Sequence, residues 1–169
     1  LHDDVTSTTA TGVNVTTVRI VLDGLTLTTT GGGIARFNAP TEITTDTVDI
    51  DAAGTITFEN TLVSPNAGAQ DLILETDANI DFNAAVGAGA ENELGAILID
   101  TAVNVEADFT IEAASLVQST GTGITTLHDD VTTTTAAGIN LTTVKIVLDG
   151  LNILTSGSGI VRFNAPVEL

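Results

Sequence analysis

The sequence contains no cysteine, methionine, tryptophan or tyrosine, and its only aromatic residues are 5 Phe. Without a thiol the chain forms no disulfide, no thiolate metal site and no cysteine nucleophile. Basic residues are almost as scarce, since 4 Lys and Arg face 22 Asp and Glu, a formal net charge of −18. A surface this acidic repels phosphate, which excludes nucleic acid as a partner. Long apolar runs are missing too. Stretches such as Ala96-Ile97-Leu98-Ile99 and Ile146-Val147-Leu148 fall far short of the roughly 20 residues a membrane helix needs, so no membrane insertion is expected in this segment. The chain starts without Met and without a signal-peptide pattern, and is expected to be a processed piece of something longer.

What is present points to β structure. The 43% of hydrophobic residues is too many for a disordered acidic tail, and 31 of the 169 residues are threonine, a strand former. Residues 1–43 begin LHDDVTSTTATGVNVTTVRIVLDGL and return at 127–169 as LHDDVTTTTAAGINLTTVKIVLDGL, with 30 of the 43 positions identical at an offset of 126 and no gap. The differences are mostly small exchanges, such as Val13 to Ile139 and Arg19 to Lys145. Repetition of this kind marks a tandem array.

A shorter period lies inside the long one. Apolar-alternating phrases recur at Ile34–Ala39, Ile56–Asn60, Ile80–Ala84, Val103–Ala107 and Ile160–Ala165. Taking the last apolar residue of each phrase as a core anchor gives Ile20, Phe37, Phe58, Phe82, Val105, Leu127, Ile146 and Phe163. The spacing from Phe37 to Phe163 predicts six coils of about 21 residues in each 126-residue repeat. Between anchors lie further short runs, such as Thr41-Glu42-Ile43 and Val48-Asp49-Ile50, so each coil is expected to hold three short strands. Gly, Asn, Asp and Ala fill the gaps, as tight corners require.

The expected fold is therefore all-β, a parallel β-solenoid whose coils stack at about 4.8 Å and bury one another's apolar faces. Residues 1–169 then form one continuous solenoid segment, with 1–126 a full large repeat of six coils and 127–169 the start of the next. Tandem immunoglobulin-like sandwiches are the competing architecture, but they need no short sub-period and usually carry a core Trp or Tyr. Asn38, Asn83 and Asn164 each follow an anchor and suggest an asparagine ladder, broken elsewhere by Glu59, Glu106, His2, His128, Val21 and Val147.

Phrases such as Ala53-Gly54-Thr55-Ile56-Thr57-Phe58 and Asn79-Ile80-Asp81-Phe82-Asn83-Ala84 resemble the degenerate coil motif of giant bacterial surface proteins, the filamentous-haemagglutinin-like and autotransporter-like adhesins. That resemblance implies a right-handed β-helix, an extracellular or cell-surface location, and service as a stalk, fibre or adhesive shaft.

Catalytic chemistry has little to work with. The two histidines, His2 and His128, occupy one repeat position in Leu-His-Asp-Asp, where the adjacent acids suit a solvated bend. Glycosidase-type carboxylate pairs lack the arginine or aromatic platform that sugar binding uses. Thr55-Ile56-Thr57 is a TxT phrase, but it does not recur coil after coil as an ice-binding face demands. Residues 44–126 carry 14 acids and no base, and stacking brings like charges close. Asp46, Asp49, Asp51, Asp71, Asp77 and Asp100 are candidate Ca²⁺ ligands on composition alone, without an EF-hand loop or a calcium nonapeptide. The expected function is non-catalytic and needs no cofactor. It is a structural repeat whose partners are identical neighbouring repeats, in the same or adjacent chains. The alternative is a binding module recognising a cell surface or a cation.

Overall fold

The computed structural model describes residues 1–89 and 91–169. Its described residues hold strands and turns and no helix, so none is long and apolar enough to cross a membrane. The chain winds as a parallel β-solenoid of about seven turns, with equivalent positions about 22 residues apart and three faces to each turn. This architecture excludes the sandwich array.

Each face is a ladder of short strands whose inward residues stack in columns. On the first face, Val5, Leu27, Ile50, Leu74, Ile99, Gln118, Leu141 and Phe163 lie one above another. The second face stacks Val15, Phe37, Phe58, Phe82, Ala107, Leu127 and Leu148. The third runs Ile20, Thr41, Leu62, Val86, Ile111, Val131 and Ile153, joined at Val86 by single bridges. β-branched and leucine side chains suit these columns because each fills one 4.8 Å layer without a polar atom to satisfy. Phe37, Phe58 and Phe82 stack face to face, with ring centroids 4.9 and 5.6 Å apart.

Two features interrupt this repeating arrangement. The strand Leu94–Ala102 shifts register against Asp71–Thr76, so that Ile99 and Thr101 pair with Leu74 and Glu75 and Asp100 is left over as a bulge. The bulge keeps Asp100 from stacking directly on Glu75. Gln118 interrupts an aliphatic column, and its carbonyl accepts a hydrogen bond from Thr125 at 2.6 Å. Gly121 leaves room for that amide, since a Cβ there would lie 2.6 Å from Gln118 Nε2.

The anchors do not form one column. Phe37, Phe58, Phe82 and Leu127 share a column, whereas Val105 and Ile146 lie two residues earlier on the same face, stacked with Ile80 and Thr125. Ile20 belongs to the third face, and Phe163 to the first, over Leu141. The physical reason is that all three faces use the same alternating phrase, so the phrase does not reveal which face it builds.

The count of six coils per repeat changes for the same reason. From Val5 to Gln118 the first face passes through five turns, and Val131 lies only two faces further on. Val131, the counterpart of Val5, therefore sits on the third face. The 126-residue repeat spans five and two-thirds turns, and its middle coils, from Ile50 to Leu74 and from Leu74 to Ile99, lengthen to 24 and 25 residues.

Candidate functional site

Side chains that alternate outward from the strands also stack, and their charges decide what the surface can do. Three of the four bases are used in the same way. Arg19 pairs with Glu42, Arg36 with Glu59 and Lys145 with Glu168, each acid lying 23 residues on, one coil further along the axis. The asparagines act similarly. Asn164 donates to Asn140 at 2.9 Å and Asn104 to Asn79 at 3.0 Å, whereas Asn83 donates to Glu59. The ladder is therefore a set of inter-coil pairs and not one continuous row.

Where bases are absent, like charges meet. Asp51 and Glu75 are direct partners on adjacent strands of the first face, as are Asp81 and Glu106 on the second. Desolvation first, and then the charges of Asp51, Asp100, Asp49 and Asp77, raise the pKa of Glu75. Desolvation followed by Asp51 and Asp100 does the same to Asp49, and desolvation with Glu106, Asp108 and Glu59 to Asp81. Asp23 moves the other way, lowered by hydrogen bonds from Thr45 and His2.

The six calcium candidates are thus distributed. Asp49, Asp51, Asp77 and Asp100 gather about Glu75, where their charges act on one another. Asp71 lies apart from them in use, its carboxylate accepting from the backbone N–H of Ala96 at 2.7 Å. Asp46 occupies a corner with φ 38°, a conformation Asp adopts more readily than most residues. Among the described residues, one set brings a His and two carboxylates within 4.8 Å of one another, and it consists of Glu106, Asp108 and His128.

That set was not legible from Leu-His-Asp-Asp. His128 turns away from its sequence neighbours and faces Glu106 at 3.4 Å and Asp149 at 3.3 Å, one coil to either side. Asp130 instead accepts from the backbone N–H of Asn152 at 2.7 Å, closing the bend to the next coil. The recurring pairs His2–Asp23 and His128–Asp149, each 21 residues apart, were the available signal. Burial pulls the His128 pKa down, but hydrogen bonds to Asp149 and Glu106 and the nearby charge of Asp108 raise it overall. The arrangement is an exposed ion-pair triad that favours the imidazolium.

Concave surface is shallow. One open groove of about 250 Å³ runs along Thr29–Gly31, Asp51–Ala53 and Glu75–Asp77, and two others of about 270 Å³ flank the neighbouring coils. They are the furrows between outward rows, open along their length.

These shifts fix the sign of the pH response. Asp49, Glu75 and Asp81 bind their protons more tightly folded than unfolded, so their contribution favours folding as pH falls through the raised values. His128, also raised, stabilises below its unfolded value and loses that contribution as pH rises through the folded one. Asp23, lowered, opposes them only when pH falls further. Through His128, whose unfolded value lies between them, urea denaturation is expected to give greater stability at about pH 5 than at about pH 8, with added salt narrowing the difference. Equal stabilities at the two pH values would show that the ion pairs of His128 with Glu106 and Asp149 add nothing to folding.

The fold and surface together define a parallel β-solenoid protein with inter-coil charge pairs. Comparison with protein-family models, with curated proteins and with solved structures finds no match for this chain.

Proposed function

We propose that the chain is a structural repeat of a long extracellular fibre or adhesin stalk, without catalysis, whose partners are identical neighbouring repeats. The observation that carries this reading is that both copies of the 43-residue block make the same contacts between coils. Asp23 N donates to Leu1 O at 3.0 Å, and Asp149 N to Leu127 O at 3.0 Å. Thr26 N donates to Asp4 at 2.8 Å, and its counterpart Asn152 N to Asp130 at 2.7 Å. A sequence duplicated with its coil-to-coil bonds intact lengthens a rod by further coils of the same kind.

Continuous backbone pairing makes such a rod stiff, and each added coil extends it by about 4.8 Å. Electron microscopy of the longer protein is expected to show filaments of constant width with that axial spacing. Compact beads on flexible linkers would overturn the reading.

A further inference from the structure

The 126-residue sequence repeat and the three-sided coil are out of step. Val5, Val13 and Ile20 lie on the first, second and third faces, paired with Leu27, Ala35 and Thr41. Their counterparts Val131, Ile139 and Ile146 keep the equivalent partners Ile153, Val161 and Val167, but lie on the third, first and second faces. Asn14 and Arg36 thus share an outward row with Thr57, Asp81 and Glu106, while Asn140 and Arg162 share one with Leu98 and Val117. The local bends are conserved through this rotation, with φ 65° at Gly12 and 61° at Gly138.

We infer that tandem repeats of this chain climb the solenoid as a three-fold screw, each repeat turned by one face relative to the last. This rests on the reading of the chain as a tandem structural repeat. Five and two-thirds turns advance about 27 Å, so a given surface feature returns to the same face only after three repeats, 17 turns or about 82 Å. The acidic group around Glu75, confined to the first face in this repeat, then appears on all three sides of the rod in succession. The large negative charge of each repeat is spread round the axis and does not accumulate along one side. A partner that recognises one repeat can approach the fibre from three directions.

The rotation requires more than matching phrases. Each copy must tolerate different neighbours along the axis, and the duplicated block meets this by carrying its own pairs. Arg19 with Glu42 and Lys145 with Glu168 satisfy charge inside the copy, whichever face it occupies.

Two measurements test the screw. In the 169-residue chain, Val117→Cys with Asn140→Cys places thiols on directly paired, outward positions of adjacent strands. A short bifunctional thiol reagent is expected to join them in the folded chain, and failure to join them while the circular dichroism matches the parent overturns the phase. In filaments of the longer protein, layer lines at about 82 Å are expected alongside the axial repeat of about 27 Å. An axial repeat of about 29 Å with no longer period, as six whole turns would give, overturns the screw and leaves the fibre intact. Absence of filaments removes the fibre reading, while the thiol pair still reports the rotation between the two copies.

Discussion

Phe58→Ala is expected to lower the unfolding free energy by about 4 kcal/mol, near the middle of the range for a buried aromatic truncated in a packed core. Phe58 is 1% exposed and stacks on both sides, on Phe37 and on Phe82. Its truncation removes both ring contacts and leaves a cavity between coils that cannot close, because each neighbouring backbone is held at the strand spacing by its own ladder. A solenoid adds its stability from coil interfaces, so damage to two adjacent interfaces divides the rod and also broadens the transition. Phe109, 50% exposed, is the control, and Phe109→Ala should change stability by no more than about 0.5 kcal/mol. Urea denaturation followed by circular dichroism measures both. A cost below about 1.5 kcal/mol for Phe58→Ala would mean that the coils relax around the gap.

How far the sequence disclosed this core depends on the kind of information each residue carries. Alternation disclosed strands, because inward and outward positions have period two on every face. The phrases Thr41-Glu42-Ile43, Val48-Asp49-Ile50 and Ile56-Thr57-Phe58 all lie in strands, Thr41–Thr45, Thr47–Ala52 and Ile56–Phe58. Length disclosed the approximate coil. Face identity was not legible, since Ile146 and Phe163 sit in similar phrases yet build different faces, and only pairing partners distinguish them. Val86 shows the same limit, since it joins the third face only through single bridges to Leu62 and Ile111 of the adjoining coils.

The charged surface was legible in amount but not in arrangement. Counting acids foretold crowding, and Asp51 over Glu75 shows it, but the register that sets those two side by side depends on a strand pairing 24 residues apart. Asp71 and Asp130 look like free carboxylates in sequence and are spent on backbone N–H groups of the adjoining coil. His128 shows the same limit of reading by adjacency, since its partners come from the coils above and below. In a solenoid the neighbour that matters is one turn away, and a local motif describes only half of each contact.

Glycine carries the sharpest test of that principle. Gly87→Ala is expected to cost more than about 3 kcal/mol, whereas Gly68→Ala should cost about 1–2 kcal/mol, although both residues have left-handed backbones. Their φ angles are 69° and 71°, so the intrinsic penalty of an added Cβ is the same. Their surroundings differ. A Cβ on Gly68 meets nothing within 4 Å, while one on Gly87 would lie 1.9 Å from the carbonyl oxygen of Glu112. That carbonyl belongs to the next coil, and Gly87 is also tied to the previous one through its N–H to Leu62 O at 2.7 Å. Neither side can yield without lengthening ladder bonds, among them Glu112 N to Val86 O at 2.8 Å. The substitution therefore forces apart two coils in the middle of the rod, each broken bond costing about 1 kcal/mol beyond the backbone strain. Urea denaturation of the two variants separates the contributions, the difference between them being the cost of opening the stack. Equal losses would show that coil separation at this corner is soft, and that the close approach of Gly87 to Glu112 is not what holds the third face in register.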